Sequence, residues 1–267
     1  MNLNSVPGLI DPLIHLEDER YANIEEVLRR AQQAGIKHLI WAGTAPQKDA
    51  LRPSPSFPDS PDIWRSYGLH PAQIQASEIQ NHLQSLQQVV QQNDTVAIGE
   101  IGLDARKNMP EMLMQEEVFL NQLEIARDAN LPVIIHAAKA WGRVLLKLKQ
   151  FGKLPAGGLL HCFSASPQLV TEFTKMDLLM SFGGLATYEK AKKVRLALKA
   201  VPISLLAVES DGPDHPWSQA SRPYSEPSDL PFIYGRLSDL RGESPGLLVV
   251  SVTHNLYQTF PGLRSKA

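Results

Sequence analysis

The feature that most constrains the fold is a series of short apolar segments that alternate with longer polar or amphipathic ones. Most of them are continuously apolar, as strands are when helices cover both faces of a parallel sheet. The candidate strands lie near residues 8–13, 37–43, 62–70, 95–102, 132–136, 157–161, 177–183 and 203–211. This pattern predicts eight strands of the α/β class.

Helical spacing appears between several of these strands. Ile24, Val27, Leu28 and Ala31 fall at i, i+3, i+4 and i+7, and the same stripe recurs at 141–148 and 191–198. Strands and helices that alternate in this way favour a closed (β/α)8 TIM barrel that spans residues 1–267 as one domain, and a doubly wound open sheet is the alternative. We expect the Pro/Ser-rich stretch 52–61 to replace the helix after the second strand.

Charge and composition exclude several classes of protein. The net charge of -2 argues against a broad basic face that would grip duplex nucleic acid. The N-terminal stretch has no basic segment followed by a long apolar one, and no window is apolar enough for a membrane span. The single cysteine, Cys162, agrees with a reducing compartment. These observations predict a soluble cytoplasmic protein with no membrane segment.

Polar side chains stand where the apolar segments end, which is the rim that carries the active site in such barrels. They are His15, His70, Glu100, His136, His161 and Asp211. All except His70 form a set of three imidazoles and two carboxylates, which suits divalent Zn, Mn or Mg. Because alternate residues of a strand face opposite sides, we expect Cys162 to point away from this cluster.

Several sequence blocks carry a specific resemblance. They are VAIGEIGLD at 96–104, NLPVIIHAAKA at 130–140, GLLHCFSAS at 158–166 and LLAVESDGP at 205–213, with YGLHPAQ at 67–73 and RPYSEPSDLP at 222–231. In order and spacing they resemble the signature blocks of the TatD family of metal-dependent deoxyribonucleases. The resemblance covers nearly the whole chain, and it implies a barrel of the amidohydrolase type that uses one or two divalent metals.

The resemblance also implies roles for the metal-site residues. Glu100 would bridge two metals, His136 and His161 would complete an inner site, and His15 and Asp211 would belong to an outer site. Asp211 would also orient or deprotonate the attacking water. The family's Asp-x-His-x-His has Leu13 at its first histidine here, so we expect one tightly held metal and a second, weaker one.

Candidate substrate contacts surround this set. The family's His-Ser-Arg-Asp block reads His136-Ala137-Ala138-Lys139, and Lys139 is a partial substitute for the missing arginine. His70 and Glu226, the acid of the Asn-Glu-Pro-like segment, are further candidates. Trp217 follows the eighth strand, where it either stacks on an unpaired base or packs its loop against the barrel.

These features predict a metal-dependent phosphodiesterase that hydrolyses DNA as an exonuclease on single-stranded or frayed ends. One alternative is a catalytically weak subunit that binds nucleic acid or a protein partner, which Leu13 and the lost arginine favour. Another is an amidohydrolase-type enzyme that cleaves an amide or a lactone.

Overall fold

Eight strands form a single sheet in which every neighbouring pair is parallel, in the order β1 to β8. In the computed structural model, which describes residues 8–264, the strands are β1 Leu9–Ile14, β2 Ile36–Ala42, β3 Asp62–Tyr67, β4 Thr95–Asp104, β5 Val133–Ala138, β6 Gly158–Leu160, β7 Leu179–Phe182 and β8 Leu206–Val208. Each predicted strand is therefore confirmed. The N-terminal residues 1–7, whose composition argued against a leader, and residues 265–267 of the predicted domain lie outside the described part.

The sheet closes on itself between its first and last strands. Ile14 forms a bridge with Gly212, and the amide of His15 donates to the carbonyl oxygen of Gly212 at 2.8 Å. This junction joins the end of β1 to the segment that follows β8. The (β/α)8 barrel is thus confirmed, and the open-sheet alternative is excluded.

Helices cover the outside of the barrel. They are α1 Ile24–Gln33, α2 Pro46–Asp49, α3 Ile79–Val89, α4 Met112–Ala129, α5 Trp141–Phe151, α6 Pro167–Thr174, α7 Lys192–Ala200, α8 Leu230–Arg241 and α9 Pro245–Thr259. Val27, Leu28 and Ala31 of the first predicted stripe are buried on α1. Between β2 and β3 the chain has only the four-residue α2, in agreement with the Pro/Ser-rich stretch. None of the helices within residues 8–264 is long and apolar enough to cross a membrane.

Gly102 allows β4 to lie directly against β5 at the level of the site. It pairs with His136, and its φ of +148° is unfavourable for other residues. A Cβ atom at this position would come within 2.0 Å of the carbonyl oxygen of His136. Because Gly102 has no side chain, His136 lies directly beside it near the end of β4. Glu100 is two residues before Gly102 on the same strand.

Candidate metal centre

A cavity of about 460 Å³ opens at the carboxyl ends of the strands. Its lining residues are His15, Glu17, Asp18, Thr44, His70, Glu100, Arg106, His136, Ala137, Ala138, Lys139, His161, Cys162, Ser164, Leu185, Asp211, Asp214 and His215. All five residues predicted to bind metal are in this set, together with His70 and Lys139. The structure therefore brings together side chains from six strands or from the residues that directly follow them, and Glu100 and His136 lie within β4 and β5 rather than at their ends.

Glu100 lies at the centre of the histidines. Its Oε1 atom is 2.8 Å from Nδ1 of His136 and 3.2 Å from Nε2 of His161, whereas its Oε2 atom is 3.4 Å from Nε2 of His15. Burial favours the neutral acid, but these imidazoles outweigh it and hold the pKa of Glu100 well below its ordinary value. The two carboxylate oxygens thus face different histidines.

Backbone groups orient two of the imidazoles. Nδ1 of His15 donates to the carbonyl oxygen of Ala42 at 3.3 Å, which leaves Nε2 to face Glu100. Nδ1 of His70 accepts from the amide of Ala72, so neutral His70 carries its proton on Nε2, 3.8 Å from Glu100. Burial lowers the pKa of His70 to about 3. His70 is therefore a neutral hydrogen-bond donor that points into the cavity.

Buried carboxylates stand behind the other two imidazoles. Nε2 of His136 lies 3.5 Å from Asp104, and Nδ1 of His161 lies 3.4 Å from Glu209. A carboxylate on the far side of a ligating histidine fixes its orientation and raises its basicity. Asp104 and Glu209 follow apolar residues at the ends of β4 and β8, so their positions resembled those of the predicted ligands, yet the sequence analysis did not select them.

Asp211 faces a second set of potential ligands. Its carboxylate lies 3.8 Å from Nδ1 of His161 and 3.9 Å from Nε2 of His215, and Cys162 approaches the same group. Burial raises the pKa of Asp211 to about 6, although His161 opposes this shift. His215 is a further residue of the cavity that the sequence analysis did not select.

The predicted orientation of Cys162 is wrong, because this residue lines the cavity. Strand β6 ends at Leu160, so the alternation of side chains no longer applies two residues later. Cys162 has a φ of +45°, and this left-handed conformation turns its side chain toward Asp211. Burial, together with the nearby carboxylates, raises the pKa of its thiol well above the ordinary value.

Two of the predicted substrate contacts lie away from this cavity. Glu226 is fully buried and accepts from Nε and Nη2 of Arg30 at 2.7 and 2.9 Å. The ring of Trp217 stacks on that of Phe232, with centroids 5.2 Å apart and planes inclined by 2°. Neither Glu226 nor Trp217 is among the residues that line the cavity. Packing accounts for the position of Trp217, and ion pairing accounts for that of Glu226.

Asp11 is a further buried acid beside the site. It accepts from the amide of Ser210 at 3.0 Å and from its hydroxyl at 2.5 Å, and thereby ties β1 to the residue before Asp211. Burial raises the pKa of Asp11 to about 7. Leu13, two residues later, is fully buried in the hydrophobic core and is not among the lining residues.

The donor set fits a divalent metal. Potential ligand atoms lie within 4.8 Å of one another in the group His70, Glu100 and His136, and in the group His161, Glu209 and Asp211. Among the described residues, Oε2 of Glu209 is buried and has no hydrogen-bond partner. Buried ionisable groups need partners or a metal, so nitrogen and oxygen donors crowded in this way indicate a cation site.

A (β/α)8 barrel with clustered histidines and carboxylates at its carboxyl rim is the arrangement of a metal-dependent hydrolase. The sequence model of the family described as TatD related DNase matches residues 10–261. The chain belongs to the TatD family.

Relatives and a solved structure agree with this assignment. The chain is 32% identical to the uncharacterized metal-dependent hydrolase YabD of Bacillus subtilis, over 87% of this chain and 91% of YabD. It is 30% identical to the 3'-5' ssDNA/RNA exonuclease TatD of Pantoea ananatis, over 94% of this chain and 99% of that protein. The crystal structure of the TatD homologue YjjV from Escherichia coli superposes with a TM-score of 0.84 at 28% identity, and covers 95% of this chain and 98% of YjjV.

Proposed function

We propose that this protein hydrolyses phosphodiester bonds of DNA, at single-stranded or frayed ends, with divalent Mg, Mn or Zn. The observation that carries the proposal is the position of Glu100, whose oxygens face His136 and His161 on one side and His15 on the other. A carboxylate shared in this way suits two adjacent cations. Glu100, His136 and His161 would hold one of them, and His15 and Asp211 the other.

The metal would supply a nucleophilic hydroxide at neutral pH and stabilise the negative charge that develops on the phosphoryl oxygens. The chain itself provides the proton transfers. The Asp211 carboxyl group, whose pKa burial raises above its ordinary value, is suited to orient the water and take its proton. The Nε2–H group of neutral His70 would donate to an oxygen of the bound phosphodiester.

The shape and charge of the molecule favour a single strand over a duplex. A cavity of about 460 Å³ matches the size of sites that enclose small ligands, so it suits one nucleotide at a strand end. The net charge of -2 leaves the affinity for DNA to local contacts. Lys139, which is exposed at the rim after β5, is one such contact.

Leu13 stands where the family motif has a histidine, so the site with His15 and Asp211 would lose its metal more readily than the site with His136 and His161. The protein would act as a single domain over residues 1–267. It would work in the cytoplasm, as the single cysteine suggests.

A substrate comparison tests the proposal. Metal-free protein would be reconstituted separately with Mg, Mn and Zn, and assayed on a single-stranded, a frayed and a blunt duplex oligonucleotide of the same sequence. We expect degradation of the first two, and none by an Asp211→Asn variant that still holds the metal bound by Glu100, His136 and His161. Binding without turnover would indicate a nucleic-acid-binding subunit. Turnover of lactones or amides, but not of DNA, would indicate an amidohydrolase-type enzyme.

A further inference from the structure

The cavity has one cationic wall, formed by Arg106 and Lys139. Arg106 follows β4 and Lys139 follows β5, and the two strand ends are held side by side by the pairing of Asp104 with Ala138. The amide of Ala105 extends this pairing with a bond of 2.9 Å to the carbonyl oxygen of Ala138. Two long cationic side chains therefore leave adjacent strands at the same edge of the cavity.

Five carboxylates also line the cavity. The lining carboxylates are those of Glu17, Asp18, Glu100, Asp211 and Asp214. Arg20 is near the same mouth, but Asp18 and Asp214 both bind its guanidinium at 2.8 Å. Within residues 8–264, Arg106 and Lys139 are the lining residues with permanently cationic side chains. Beside the proposed metals, this wall would therefore attract a phosphate that enters the cavity, whereas the carboxylates would repel it.

Asp104 holds Arg106 in place without using all its donors. The carboxylate of Asp104 is buried and accepts from Nε at 2.8 Å and from Nη2 of the same guanidinium. A guanidinium has five N–H donors, so the whole Nη1 group and one hydrogen of Nη2 are left for a ligand. The Arg106 side chain is half exposed and lines the cavity, and its anchor reduces the entropy lost when it binds an anion.

We propose that Arg106 and Lys139 form a phosphate-binding subsite next to the metal centre, with Arg106 as the anchored member. The ligand class is a phosphate group of a nucleic-acid strand, held by charge-assisted hydrogen bonds. The subsite deepens the function proposed above and rests on it. Asp104 joins the two parts of the site, because its carboxylate contacts His136 on one side and Arg106 on the other.

Binding to chemically modified strands tests this subsite. The probe is a fluorescent single-stranded oligonucleotide with phosphorothioate linkages, which are charged but resist hydrolysis. We expect Arg106→Gln, in the metal-loaded protein, to weaken its binding about tenfold, equivalent to about 1.4 kcal/mol. The slope of log affinity against log salt concentration should fall by about 0.7, as the loss of one phosphate contact requires. Lys107→Gln removes an equal charge from an exposed neighbour outside the cavity, and should change the affinity less than about twofold.

Uncharged linkages locate the phosphate. A methylphosphonate is placed at the terminal linkage in one strand and at the next linkage in another. If the neutral linkage lies at the subsite, Arg106→Gln and the wild type should bind that strand equally. The strand that gives equal binding therefore shows whether the subsite holds the terminal phosphate or its neighbour. An undiminished effect of Arg106→Gln on both strands would overturn the proposal. So would wild-type affinity of this variant for the charged strand.

A second variant and a second probe cover the remaining outcomes. If Arg106→Gln loses metal or unfolds, Lys139→Gln decides, because the Lys139 side chain forms no hydrogen bond or ion pair with any described residue. Wild-type affinity of Lys139→Gln would then overturn the subsite. Inorganic phosphate is titrated in parallel by calorimetry, and equal affinity for the wild type and both variants would also overturn it. Weaker phosphate binding by the two variants, together with no DNA hydrolysis by the metal-loaded wild type, would support the subsite and contradict the proposed function.

Discussion

The carboxylate of Glu100 and the imidazole of His136 lie 2.8 Å apart, although 36 residues separate them in the chain. Glu100 lies on β4 and His136 on β5, and these two strands are adjacent and parallel. Gly102 pairs with His136, so the side chains of Glu100 and His136 reach the same rim. His161 and His15 contact the same carboxylate from other strands. The barrel closure therefore places three imidazoles against the carboxylate of Glu100.

Glu100→Ala should abolish both metal retention and hydrolysis, because this carboxylate contacts the histidines of both proposed metal positions. The metal content after dialysis and the rate on a single-stranded oligonucleotide are the measurements. Glu117→Ala removes an exposed carboxylate from α4 and should leave both unchanged. Unchanged turnover in a folded Glu100→Ala protein would eliminate the proposed site.

Asp104→Asn should weaken metal binding about tenfold to a hundredfold without removing a proposed ligand. The reason is the contact of 3.5 Å between Asp104 and Nε2 of His136, which orients the ring toward Glu100. Competition with a chelator measures the affinity. Equal metal affinity in Asp104→Asn and in the wild type would show that Asp104 serves only to hold Arg106.

Leu13→His should destabilise the metal-free protein, because Leu13 is fully buried in the core and an imidazole there is costly to desolvate. If the new ring faces the site with His15 and Asp211, metal should restore part of the loss and increase the bound metal per chain. Thermal unfolding with and without Mn or Zn measures this difference. The same decrease in melting temperature under both conditions would mean that position 13 does not face the metal.

Trp217→Ala should lower the free energy of unfolding by about 1–3 kcal/mol, because its ring packs on Phe232 and against the core. The affinity for single-stranded DNA should change less than about twofold. Phe232→Ala is the matched control, since it removes the more exposed member of the same pair. An unchanged melting temperature together with binding about tenfold weaker would instead establish the base-stacking role.

Asp11 should make the stability of the metal-free protein depend on pH. Its pKa is about 7 in the folded state, above the ordinary 3.8, because the carboxyl group is buried. The folded state therefore binds more protons than the unfolded state between about pH 4 and pH 7. This contribution is fully present below about pH 4 and is lost as the pH rises through about 7.

Urea unfolding of the wild type and Asp11→Asn at a series of pH values isolates this effect. The carboxamide of the variant cannot titrate, so the variant should lose less stability than the wild type as the pH rises. The side-chain oxygen of the carboxamide in this variant can still accept a hydrogen bond from the backbone N–H of Ser210. This bond favours folding of the variant. Parallel pH profiles for the two proteins would contradict the shifted pKa of Asp11.

The sequence alone determined the barrel and seven of the residues that line its cavity, namely His15, His70, Glu100, His136, Lys139, His161 and Asp211. Continuously apolar segments are local signals of buried parallel strands, and a polar residue directly after such a segment marks the rim. Glu100, His136 and His161 were found in this way. The same rule applies to Asp104 and Glu209, but a pattern along one strand does not show whether an acid faces the metal or stands behind a histidine.

Only the tertiary structure decided how these side chains are oriented. The carbonyl oxygen of Ala42 orients His15, a left-handed backbone turns Cys162 into the cavity, and Arg30 binds Glu226 outside it. Each of these outcomes depends on backbone torsions or on contacts between residues far apart in sequence. Hydrophobic periodicity specifies which face of a strand or helix is buried, but it carries no information on such partners. The chemistry of the site therefore follows from strand register and barrel closure.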